Sequence, residues 1–151
     1  MSSNEKKRFQ DQNFRLSHFE QEVHVQCPSC AKKALAKVDH IQKEARLICP
    51  SCGFHKQKST FSKLFGISGH WERSADKYFS AQLWYQITFK NDIFWAYNLE
   101  HLNYLEHYIG AALREHQERS HYTLLEKLPK FYHEAKNRDA LLKLIQKLKN
   151  K

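Results

Sequence analysis

Four cysteines carry the clearest chemistry in this chain. They stand at Cys27, Cys30, Cys49 and Cys52, in the spacing C-x2-C-x18-C-x2-C, and the tetrapeptide Cys-Pro-Ser-Cys occurs twice. Two close thiol pairs separated by a stretch of this length fit a tetrahedral zinc site. Each pair reads as a tight turn that aims two sulfurs at one ion. Pro28 and Pro50 pre-set φ in those turns, and Gly53 permits a left-handed residue straight after the second pair. Ala31 and Lys32 follow the first pair where a glycine would be expected. Four thiolates close the coordination shell, whereas a catalytic zinc keeps one position open for water. The expected cofactor is therefore one structural Zn2+. Binding it lowers the nominal net charge of +9 by two, so the chain stays basic. A redox-active Cys-x-x-Cys remains an alternative for a single pair, but two identical pairs and the lack of a βαβ pattern weigh against it.

The ten histidines are the other candidates for chemistry. His101, His107 and His116 each follow a glutamate: Glu100, Glu106 and Glu115. On a helix, His101 and His107 diverge, because six residues turn the chain well past a shared face. Glu100 and His107 do share a face, about two turns apart. There is no H-E-x-x-H, no nucleophile elbow and no phosphate-cradling glycine loop. The histidines read as solvated or helix-capping. No catalytic residue and no small-molecule substrate is expected.

Positive charge is concentrated in two places. Between 23 and 58, seven basic residues face Asp39 and Glu44; between 127 and 151, eight face Glu134 and Asp139. A basic chain attracts polyanions. Lys32, Lys33, Lys37, Arg46, Lys56 and Lys58 are the candidate phosphate contacts, since lysines on exposed strands can neutralise nucleic-acid backbone. Phe54 is expected to pack under the cysteine-bearing strands or against the C-terminal part of the chain, with stacking on an unpaired base as the alternative. The expected partner is nucleic acid, DNA or RNA. A protein partner, with incidental basic charge, is the alternative.

The elements that must position these residues follow from periodicity. Val23 to Val25, Leu35 to Val38 and Ala45 to Ile48 read as three short strands around the cysteine turns. Residues 1–22 form a polar N-terminal segment, partly disordered at 1–10, and 23–58 the metal-binding unit. A linker follows at 59–77, where glycines cluster. Residues 78–151 form an aromatic hairpin and a helical domain. In the hairpin, Leu83, Tyr85, Ile87 and Phe89 alternate, Lys90 to Asp92 turn, and Ile93 to Tyr97 return. Asn98 is a candidate N-cap for a helix over 98–118, marked by Leu99, Leu102, Leu105, Ile109, Ala112 and Leu113. Residues 122–128 are expected to add a turn or two. Asn137 opens a last helix over 138–149, with Leu141, Leu142, Ile145 and Leu148 on its apolar stripe. The fold class is α+β.

The stretch 23–54 resembles the zinc-ribbon superfamily, in particular the transcription factor IIB-type ribbons written C-P-x-C…C-P-x-C-G. That resemblance covers about a fifth of the chain. It implies a zinc-folded ribbon, and such ribbons serve DNA, RNA and protein binding alike. Leu83-Trp84-Tyr85, the run Phe94 to Asn98, and Asn137-Arg138-Asp139 add a similarity to small uncharacterised bacterial proteins of this ribbon type, which brings no activity with it. No run approaches the roughly 20 apolar residues that span a bilayer, so no membrane partner is expected. The charged N-terminus lacks the apolar run of a signal peptide, so a cytoplasmic location is expected.

Overall fold

A computed structural model describes residues 8–10, 16–111, 113–115 and 128–151. In chain order the elements are β1 (Arg8–Gln10), β2 (Glu22–Gln26), β3 (Lys33–Asp39), β4 (Glu44–Ile48), β5 (His55–Ser59), β6 (Phe61–Leu64) and β7 (Ile67–His70). They continue with β8 (Tyr85–Phe89), β9 (Asp92–Ala96), helix α1 (Leu99–Gly110), β10 (Leu113–Glu115) and helix α2 (Arg138–Lys149). Short 3-10 turns at Leu16–His18, Ala75–Tyr78, Lys130–Tyr132 and Ala135–Asn137 connect them. The fold is α+β.

The central element is an antiparallel sheet in the order β2-β3-β4-β5. The expected three strands are thus four. The fourth, His-Lys-Gln-Lys-Ser, has no apolar residue to set a period, and all five side chains are exposed. Its ladder to β4, from Glu44↔Ser59 to Ile48↔His55, defines it instead. An outer strand rich in lysine also discourages pairing with a second sheet.

Alternation sorts the two faces of the sheet. Val23, Val25, Ala34, Ala36, Val38, Ala45 and Leu47 are buried on one side. The 3-10 turn Ala75–Tyr78 packs against β2, β3 and β4 and buries Ala75 and Tyr78. It is tied down by the Ala75 N–H donating to the Glu20 carbonyl at 2.9 Å. The edge of β2 is covered by the chain itself: His24 N–H donates to the Tyr97 carbonyl, and Trp84 N–H to the His24 carbonyl. The sheet and the helical part therefore share one apolar core.

The aromatic hairpin forms β8 and β9, with Phe89↔Asp92 closing a two-residue turn. Its rings stack on the segment before α2: Phe94 on Tyr132 at 5.2 Å, and Phe89 on Phe131 at 5.6 Å. The helix expected over 98–118 ends at Gly110. Ala111 turns extended at ψ 132°, and Leu113–Glu115 pairs in parallel with β1. The pairing with β1 takes the backbone of Leu113–Glu115 out of the helix and overrides the continuing apolar period. The segment 1–10, read as partly disordered, thus contributes a strand at 8–10. Positions 112 and 116–118 of the expected helix, and 122–127 of the expected turn, lie outside the described residues.

Helix α2 spans the residues its apolar stripe predicts, and buries Leu141, Ile145 and Leu148. Asn137 precedes it but makes no capping bond. Its side chain is spent on packing instead, accepting from Lys90 Nζ at 2.9 Å and donating to the Phe131 carbonyl at 3.2 Å. Among the described residues no helix is long and apolar enough to cross a membrane.

Candidate metal centre

The two cysteine turns are built alike. In the first, Cys27 N–H donates to the Lys32 carbonyl at 2.8 Å, and Ala31 N–H donates back to the Cys27 carbonyl at 2.9 Å. In the second, Cys49 N–H donates to the Phe54 carbonyl at 2.8 Å, and Gly53 N–H to the Cys49 carbonyl at 2.9 Å. Both turns close through a left-handed residue, Ala31 at φ 64° and Gly53 at φ 78°. The missing glycine of the first turn is therefore met by an alanine held in a conformation that glycine would adopt without strain.

These turns sit at the same end of the sheet, because Leu35↔Ile48 pairs β3 with β4 just beyond them. The register brings the four thiols together. Cys27 Sγ lies 3.7 Å from Cys52 Sγ, and Cys30 Sγ 3.6 Å from Cys49 Sγ. All four sulfurs fall within 4.8 Å of one another. A disulfide needs about 2 Å, and all four cysteines are free thiols. Four sulfurs around one ion at about 2.3 Å would stand about 3.8 Å apart. The observed spacings bracket that figure, so the residues fit a tetrahedral metal.

The electrostatics point the same way. N–H groups of Cys52 and Ser51 converge on the Cys49 sulfur and, with the neighbouring thiols, pull its pKa down to about 6. At Cys30 the Lys32 N–H favours the thiolate, but lost solvation and the three other sulfurs outweigh it and push the thiol up to about 11. Ser29 N–H also points at Cys27 Sγ, at 3.3 Å. Four sulfurs this close titrate as one set, because each negative charge opposes the next. A bound dication removes that conflict. Four thiolates on one ion would leave no open coordination position.

The six candidate phosphate contacts are divided by the pleat. Lys33, Lys37 and Arg46 lie on strand positions alternate to the buried ones, and so face away from the core. There Lys37 pairs with Glu22 at 3.4 Å and Arg46 with Glu44 at 3.5 Å. Lys56 and Lys58 stand opposite Leu47 and Ala45, and so share the other face. Lys58 Nζ lies 6.0 Å from the Phe79 ring. Lys32 belongs to the first cysteine turn. Five of the six basic residues are therefore spread over two faces of the sheet, and the sixth lies in a turn. Phe54 packs, half-buried, against the core.

Of the histidines singled out, His101 is a core residue. Its Nδ1 accepts the Tyr97 N–H at 3.0 Å, and its ring stacks on Phe19 at 4.6 Å. Burial pulls its pKa down to about 3, so it stays neutral. His107 is exposed, and His116 lies outside the described residues. Sequence reasoning missed this core role, although three aromatics flanking Asn98 in the sequence hinted at a crowded site.

A four-thiol cluster on an antiparallel sheet defines a candidate metal-binding protein. Residues 10–56 match the family model described as YnfU, a stretch that includes both cysteine turns and the strands between them. No curated protein and no solved structure matches the chain.

Proposed function

We propose that the four thiolates hold one structural Zn2+ in a zinc-ribbon arrangement, and that the chain is a non-enzymatic nucleic-acid-binding accessory protein. The observation that carries the zinc reading is the cluster itself, four soft donors within 4.8 Å at a tetrahedral spacing. Free thiols of this kind persist in a reducing compartment, which favours the cytoplasm. Nucleic-acid binding is supported by the net charge of +9 and by lysines on both faces of the sheet.

Binding through phosphates must weaken as salt rises, because each contact releases condensed counterions. Titrating labelled DNA and RNA with the metal-loaded protein at low and raised salt tests this. The reading expects measurable affinity at low salt and a steep linear fall of log K with log salt. Absence of binding at low salt would contradict it.

A protein–protein adapter is the second reading. It is favoured by one feature of the outward face, where Leu35 and the exposed Ile48 pair across the strands while Lys37 and Arg46 are matched by acids. An adapter would capture a defined protein and tolerate alanine at Lys32, Lys33 and Lys37.

A further inference from the structure

The two outer edges of the central sheet are finished differently. In an antiparallel ladder, residues that bond the neighbouring strand alternate with residues that turn their N–H and C=O away from it. On β2 the chain itself takes up the outward groups. His24 N–H donates to the Tyr97 carbonyl, Trp84 N–H to the His24 carbonyl, and Gln26 N–H to the Gln82 carbonyl. Asn98 Nδ2 donates to the Glu22 carbonyl. On β5 two bonds fix the phase, from Cys49 N–H to the Phe54 carbonyl and from Thr60 N–H to the Lys43 carbonyl. Lys56 and Lys58, at even steps between Phe54 and Thr60, therefore bond β4, while His55, Gln57 and Ser59 turn their backbone groups outward. Among the described residues no strand pairs with that edge, and all five side chains of β5 are exposed. The strand has no proline, and its register with β4 runs without a bulge. Of the devices that blunt an edge, it has only its lysines.

The charges decide what can pair there. Lys56 and Lys58 share the face of Leu47 and Ala45. The acids of the sheet, Glu22, Asp39 and Glu44, all stand on the other face, where Glu22 meets Lys37 and Glu44 meets Arg46. On the lysines' own side, Asp76 is buried in the 3-10 turn that packs against β2, β3 and β4, and Lys58 Nζ lies 6.0 Å from the Phe79 ring. Among the described residues neither lysine has an ion-pair partner, Glu72 beyond β7 included. A second copy pairing antiparallel about Gln57 would set Lys56 opposite Lys58 twice. A parallel copy in register would align each lysine with itself. Like charges directly opposite destabilise a sheet, so the edge rejects its own kind. An acidic strand meets no such obstacle.

We propose that this edge takes up an extended acidic segment of a partner protein as a further strand, antiparallel to β5, with two carboxylates at alternate positions facing Lys56 and Lys58. The proposal rests on the adapter reading above and gives it a location. Main-chain bonds to His55, Gln57 and Ser59 supply the affinity, and the two lysines select the sequence. Partner residues opposite the lysines turn their own backbone away from β5, and the residues between them bond to it. A nucleic acid could meet the same lysines through its phosphates, but it has no row of amides to pair with the edge.

The test uses the full metal-loaded chain and the capped peptide Thr-Glu-Val-Glu-Thr, whose valine stands opposite Gln57 in this register. Adding it should shift the amide signals of His55, Gln57 and Ser59 saturably and slow their exchange with solvent. A methyl group on the valine nitrogen should weaken binding at least about tenfold, whereas one on either glutamate nitrogen should leave it within about twofold. In the protein, Gln57→Pro removes an N–H that the ladder to β4 does not use. Its melting temperature should therefore stay close to that of the unaltered chain, while peptide binding falls at least about tenfold. Should that variant fail to fold, the methylated peptides decide alone. Lys56→Glu combined with Lys58→Glu should reject this peptide and accept Thr-Lys-Val-Lys-Thr. Binding indifferent to the methyl group on valine would refute the edge. So would a defined partner that the unaltered chain and Gln57→Pro capture equally well, with the adapter reading left standing. A chain that binds neither the peptide nor any defined protein would refute both. Oligo-dT shifting the three amides where the peptide does not would assign the edge to nucleic acid and overturn the proposal.

Discussion

At the scale of single residues, two side chains decide more than their types suggest. Ala31 holds φ 64° at the place where the second turn has Gly53. Ala31→Gly removes the clash of a Cβ in the left-handed region, and is expected to stabilise the chain by up to about 1 kcal/mol, read as a higher urea midpoint. The same change at a residue with ordinary φ would cost stability. His101 makes the pH prediction. Its folded pKa is about 3, held down by burial. The unfolded residue ionises near its ordinary value of about 6.5. Between those values the unfolded chain binds the extra proton, so stability falls as pH drops below about 6.5, by about 2 kcal/mol at pH 5. Denaturant midpoints of the unaltered chain and of His101→Asn from pH 7 to pH 5 check this, and the variant should show the shallower decline. The cysteine positions were legible because their spacing is itself the signal. The burial of His101 was not, because a histidine between glutamate and leucine reads equally well as solvated.

At the scale of elements, the entry to α1 joins the helix to the sheet. Asn98 Oδ1 accepts the His101 N–H at 2.8 Å, while its Nδ2 donates to the carbonyls of Phe19 and Glu22 at 3.2 and 2.7 Å. Asn98→Ala loses a cap and two further bonds. It is expected to cost about 1–3 kcal/mol, visible as a lower melting temperature, and Asn98→Asp should recover only the capping part. The cap was legible in the sequence, since asparagine before a leucine period has that meaning. The end of the same helix was not. Leu113 continues the period past Gly110, and only the pairing of Leu113–Glu115 with β1 shows why the helix stops. Strand β5 was hidden for a different reason. Its residues carry no apolar alternation, and its existence depends on backbone pairing with β4. α2, with a clean stripe and no competing partner for its backbone, could be read directly.

At the scale of the whole molecule, the sheet that carries the thiols also buries Val23, Val25 and Leu47 in the core shared with the helices. On the zinc reading, metal affinity and folding are therefore linked. An ion that binds only the folded chain adds to its stability, and removing it must take that contribution away. Incubation with a strong chelator should lower the melting temperature and loosen the cysteine end of the sheet first, seen as faster amide exchange at the two turns. The division of the lysines between faces belongs to this scale too. The sequence shows their number, but the pleat and the fourth strand decide which of them can meet one partner. The central claim is that one zinc ion sits among Cys27, Cys30, Cys49 and Cys52. The most direct measurement is the mass of the reduced chain, sprayed under native conditions. The account predicts one zinc per chain; a bare chain that keeps its fold in chelator would contradict it.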